Sequence, residues 1–105
     1  MSPQEFRASL AGKTQPPDLS APLAALWWDA KGDWARAHGL VDQLGTKSGM
    51  VVHAYLHRKE GDDSNASYWY QRAGQDSQRC ALGAEWDGLV DRLLSDPLPS
   101  HDERG

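Results

Sequence analysis

Two stretches decide the fold. They are Ala25-Leu26-Trp27-Trp28-Asp29-Ala30-Lys31-Gly32-Asp33-Trp34-Ala35-Arg36-Ala37 and, 29 residues further on, Ala54-Tyr55-Leu56-His57-Arg58-Lys59-Glu60-Gly61-Asp62-Asp63-Ser64-Asn65-Ala66. In each, a helix-like run meets Gly-Asp, and a second helix-like run follows. Glycine ends a helix because it takes the left-handed conformation without a Cβ clash. Aspartate starts the next because its carboxylate accepts from the free amides of the first turn. The duplication predicts two helical hairpins of one design.

Working outward, Ser2-Pro3-Gln4-Glu5 reads as a helix start: Ser2 caps, Pro3 suits the first position and Glu5 completes a capping box. Phe6 and Leu10 share a face before Gly12, and Pro16-Pro17 then forbids helix. Ser20 caps a second helix with Leu23, Leu26, Trp27 and Ala30 at helical spacing. Asp33 caps a third, with Trp34, Ala37, Leu40, Val41 and Leu44 facing inward. Gly45 to Gly49 reads as a connector, and a fourth helix is expected from about Met50 to Glu60. Asp62 or Asp63 caps a fifth that runs to Gly74. The sixth carries Leu82, Trp86, Leu89, Val90, Leu93 and Leu94 before Asp96-Pro97. No segment alternates in the manner of a strand. The reading is one all-α domain of about six helices over residues 1–95, with a mobile polar tail over 96–105.

Length and charge narrow the function. A chain of 105 residues forms one domain. Its formal charge is -4, with 11 basic against 15 acidic residues and no Lys/Arg block, so a phosphate-tracking surface is not expected. No apolar run approaches the ~20 residues that span a bilayer. The single Cys80 excludes a disulfide framework and a multi-cysteine zinc site. A cytoplasmic protein that binds neither nucleic acid nor membrane is expected.

Aligning the two Gly-Asp turns pairs Ala25 with Ala54, Ala37 with Ala66, Val41 with Tyr70 and Leu44 with Ala73. Small residues let helices approach, and larger ones fill the groove between pairs. This pattern resembles the tetratricopeptide repeat, whose marks are a Gly-Asp-aromatic turn and a following alanine. Gly32-Asp33-Trp34 with Ala37 fits it; in the second copy Asp63 replaces the aromatic. The likeness covers about Leu23 to Gly74 and implies helical hairpins with a binding groove, the first and last helices serving as caps. The chain also resembles a family of small, uncharacterised bacterial all-helical proteins. That likeness rests on Trp28 to Trp34 with Ala37-His38, on His53 to Asp62, and on Asn65-Ala66 with Tyr68-Trp69-Tyr70. It implies the extent of the domain and no reaction.

Several residues are candidates for chemistry. His53 and His57 are four apart and share a helix face, a spacing that chelates a transition metal. His38, on the preceding helix, can supply a third nitrogen, and Glu60 lies one turn beyond His57. The glutamate base of an HExxH metalloprotease is missing, since Ala54 follows His53. The alignment also gives a packing interpretation: His57 stands where Trp28 does, and His53 where Ala24 does. Trp27 and Trp28 point about 100° apart, so one packs and the other reaches a groove. Trp69 and Tyr70 are expected in the core, with Tyr68 on another face. Asp29 and Arg58 occupy equivalent positions and are expected to pair at the surface.

Two functions follow. The first is a non-enzymatic interaction module without a cofactor. It binds a protein segment, or a second copy of itself, in a groove lined by Trp28, Trp34, His53, His57 and Tyr68. The second is a small-ligand or metal-binding protein, with scope for enzymatic activity, in which His38, His53 and His57 hold a divalent transition metal. Convergence of the three imidazoles favours the second, and splayed rings favour the first.

Overall fold

The computed structural model describes residues 1–95; the tail expected over 96–105 lies outside the described residues. Among the described residues the chain forms six helices and no strand. They are α1 (Pro3–Ser9), α2 (Ala21–Ala30), α3 (Trp34–Val41), α4 (Lys47–Lys59), α5 (Asp63–Arg72) and α6 (Leu82–Ser95).

The duplicated turn is built twice from the same bonds. Gly32 and Gly61 have φ of 89° and 91°. Asp33 N donates to Trp28 O at 2.9 Å, and Asp62 N donates to His57 O at 2.9 Å. Gly32 N donates to Asp29 O and Gly61 N to Arg58 O, which completes the paired closure of a helix end by a left-handed residue. The aspartate that closes one helix also caps the next: Asp33 Oδ1 accepts from Arg36 N at 3.1 Å, and Asp62 Oδ1 from Asn65 N at 3.3 Å. With no residue spare between the helices, α2 must fold back on α3 and α4 on α5. Asp62, rather than Asp63, is the cap.

These hairpins pack side by side, with α4 against both α2 and α3. Helix α6 lies across α2 and α4, and α1 rests on α6. The residues equated by the alignment are core residues in both copies: Ala25, Ala54, Ala37, Ala66, Val41 and Tyr70 are all buried. Trp27 is fully buried and its indole N–H donates to Ser9 Oγ at 2.9 Å, which ties α1 to α2. Trp86 of α6 donates to Leu26 O at 3.0 Å.

Two boundaries differ from expectation. Helix α4 begins at Lys47, three residues before Met50, because Thr46 caps it: Thr46 Oγ1 accepts from Gly49 N at 3.1 Å. Gly49 is therefore helical, and a Cβ there would lie 2.6 Å from Leu44 Cβ. Helix α3 ends at Val41, so Leu44 packs from the turn that follows it.

The expected Asp29–Arg58 pair does not form. Asp29 is buried and takes Lys59 Nζ on Oδ1 at 3.0 Å and Tyr55 OH on Oδ2 at 3.3 Å. Arg58 instead donates to Glu85 Oε1 of α6 at 2.7 Å and to the Cys80 carbonyl. Tyr70 OH completes the Glu85 carboxylate at 2.5 Å. The alignment equated Asp29 with Arg58 but could not show that α6 brings its own acid. Burial raises both phenols above the ordinary tyrosine range, and the acceptor carboxylates raise them further.

The turn geometry makes a direct prediction. Gly61→Ala meets no atom within 4 Å but must hold its φ near +91°. The cost is conformational, about 1–2 kcal/mol. Chemical denaturation should show Gly32→Ala and Gly61→Ala destabilised by similar amounts, with unchanged m-values.

Candidate functional site

The sequence offered three histidines on two helices, and the hairpin packing brings all three together. His38 lies on α3, His53 and His57 on α4. The ring centroids form a nearly even triangle: 4.7 Å from His38 to His53, 5.1 Å from His38 to His57, and 4.8 Å from His53 to His57. One ring nitrogen from each lies within 4.8 Å of the other two. His38 Nε2 and His53 Nε2 are 3.0 Å apart.

Each ring is held by its surroundings. Trp34, four residues before His38, stacks on it at 4.8 Å and meets His57 edge-on at 6.0 Å. Trp34 is itself pinned, its indole donating to Leu56 O at 2.8 Å. On the opposite side, Trp69 of α5 stacks on His53 at 4.2 Å. His57 Nδ1 is 2.7 Å from Glu60 Oε2. A proton on Nδ1 donated to that carboxylate leaves the His57 Nε2 lone pair free, the arrangement in which a carboxylate orients a metal-binding imidazole.

His53 is the most constrained of the three. It is only 4% exposed, and its Nδ1 has no hydrogen-bond partner among the described residues. A buried ring nitrogen without a partner is uncommon, and this one is the nitrogen that does not meet His38. Burial pushes its pKa down to about 4, the positive fields of His38 and His57 adding to the effect and Asp42 opposing it. His53 is therefore a neutral imidazole at physiological pH, the form that donates a lone pair.

The remaining residues fall elsewhere. Trp28 is half-buried, packs edge-on against Trp27 at 4.8 Å and donates to Gln15 Oε1 at 2.7 Å, with the Arg36 guanidinium over its face. Its contacts lie outside the imidazole cluster. Tyr68 is 50% exposed and touches the cluster only through Trp69. Trp34 lines the cluster, whereas His53 and His57 are buried in it. The five residues assigned to one groove therefore do not line a common open surface. Asn65 serves the α5 cap, its side chain donating to Asp62 Oδ2 at 3.4 Å. Cys80 is exposed in the segment before α6.

Sequence reasoning missed Trp69 as a wall of the cluster and Glu85 as a buried acid. Glu85 shares the inward face of α6 with Leu82 and Leu89, at spacings of three and four, so its burial had a signal. A cleft of about 490 Å³ lies beside α5, lined by Arg58, Tyr70, Ser67 and Arg79 among others. It is away from the histidines, and its Arg58 is already committed to Glu85.

Comparison with known proteins adds no assignment: no family model, curated protein or solved structure matches the chain. The described helices include none long and apolar enough to cross a membrane.

The depressed His53 pKa predicts a pH dependence of the metal-free fold. In the unfolded chain the imidazole takes up a proton near pH 6.5, while the folded state resists until about pH 4. Between these values the unfolded chain binds more protons. The His53 contribution is intact above pH 6.5 and is lost as pH falls towards 4. In chelator-treated protein, urea midpoints should fall more steeply from pH 7 to pH 4.5 for the wild type than for His53→Leu.

Proposed function

We propose that this domain binds a divalent transition-metal ion, zinc first among them, through His38, His53 and His57. The convergence of three ring nitrogens within 4.8 Å carries the reading. A tetrahedral zinc with Zn–N bonds of about 2.0–2.1 Å holds its nitrogens about 3.3 Å apart. The 3.0 Å between His38 and His53 is close to that already. The third nitrogen, from His57, lies within 4.8 Å of the other two.

Donor chemistry favours the same ions. Three imidazoles suit zinc, copper, nickel and cobalt and are poor partners for calcium or magnesium, which take oxygen. A second donor grouping, His57 with Glu60 and Asp62, lies at the α4–α5 turn. Its Asp62 is the α5 cap and its Glu60 the bonded partner of His57, so both carboxylates already have structural duties.

Elemental analysis of protein made without a histidine tag, incubated with zinc and desalted, should find one zinc per chain. Substoichiometric metal would overturn the reading. Glu60→Gln keeps the size of the side chain but removes the carboxylate charge behind His57. Competition against a chromophoric chelator should show affinity weakened about 10–100-fold in that variant.

A tetratricopeptide-like interaction module is the second reading, favoured by one observation. Tyr68 stands half-exposed on α5 with Arg72 donating to its hydroxyl at 3.0 Å, an aromatic-cation pair of the kind enriched at interfaces. Sedimentation of the wild type at rising concentration should reveal self-association that Tyr68→Ala weakens. A monomer at every concentration would remove the homodimer.

A further inference from the structure

We infer that the metal at this site keeps one exchangeable coordination position, filled by water and open to small monoanions. The inference rests on the metal-binding reading above and concerns what that site can do.

Among the described residues three donors converge. Among the described residues no cysteine or carboxylate joins His38, His53 and His57 within the 4.8 Å spread of their ligand atoms. Glu60 is bonded to His57 Nδ1. Asp42 acts on His53 through its charge, but its carboxylate is not among the donors that converge within 4.8 Å. Asp29 is occupied by Lys59 and Tyr55. The aromatic walls, Trp34 on His38 and Trp69 on His53, offer no lone pair either, because an indole nitrogen is a donor only. Zinc with three protein ligands completes its shell with a solvent molecule.

Access is lopsided in a way that fits exchange. His53 and His57 are buried, whereas His38 is only half-buried. The cluster therefore meets solvent on the α3 side and is closed by protein on the α4 and α5 sides. A zinc-bound water in such a site ionises near neutral pH, losing its proton to bulk solvent and leaving a bound hydroxide. The class of ligand is accordingly water, hydroxide or a small anion such as azide.

Cobalt(II) is the probe, since its visible bands report coordination. Full-length protein loaded with cobalt should show these bands, and azide should shift and intensify them in a saturable titration. Bands that azide leaves unchanged would overturn the exchangeable position while leaving the metal site standing. His101, the remaining histidine of the chain, lies outside the described residues; an azide response absent from the wild type but gained in His101→Ala would also overturn the inference, by assigning that histidine as fourth ligand. Absence of cobalt bands would overturn the metal site itself, and the exchangeable position with it.

Discussion

Helix α4 has no dry and wet side over its middle two turns: every residue from Val51 to His57 is buried. That one constraint organises most of the polar chemistry in the domain. A helix enclosed on all sides is normally apolar all round, yet this one carries His53, Tyr55 and His57. Each must find a partner or cost stability. Tyr55 faces α2 and finds Asp29. His57 finds Glu60 on its own helix end. His53 meets His38 on one nitrogen, and its other nitrogen finds none. Among the described residues, His53 Nδ1 is where the enclosure of α4 leaves a buried side-chain atom unpaired.

The same enclosure explains why the duplicated hairpins are not equivalent. Helix α2 occupies the position in the first copy that α4 occupies in the second, and there the aligned residues are Ala24 and Trp28. Ala24 needs no polar partner, and Trp28 reaches Gln15 outside the helical pair. Replacing this pair by His53 and His57 makes sense only where another element supplies complementary nitrogen or aromatic surface. Helix α3 does both, through His38 and Trp34, and α5 adds Trp69. The two copies thus share one turn geometry, while only the second carries a polar cluster on its first helix.

The fold was largely legible because its signals are local. Gly-Asp turns, Ser2 with Glu5, and Ser20 before Pro22 each act within one helical turn, and the chain obeys them. The α4 start was missed because Gly45-Thr46-Lys47-Ser48-Gly49 looks like loop composition, while Thr46 makes it a cap. The site was half legible. Spacing put His53 and His57 on one face, but whether His38 met them depended on how the two hairpins pack. No periodicity within a segment encodes that. The Asp29–Arg58 expectation failed for the same reason, since the partners Lys59 and Glu85 were chosen by the docking of α4 and α6.

The ligand geometry also ties binding to the fold. His38 comes from the first hairpin and His53 and His57 from the second, so a cation held by all three would bridge the hairpins where α3 meets α4. The polar links across that seam are the His38–His53 contact and the Trp34 bond to Leu56 O. Because the three nitrogens are assembled only in the folded chain, the free energy of binding adds to that of folding. The effect should concentrate at the seam, where a metal would replace the direct His38–His53 contact with coordination to both helices. His53, held neutral by burial, would need no deprotonation to serve as a ligand. The burial that costs stability at low pH is the same feature that would suit His53 to a metal at neutral pH.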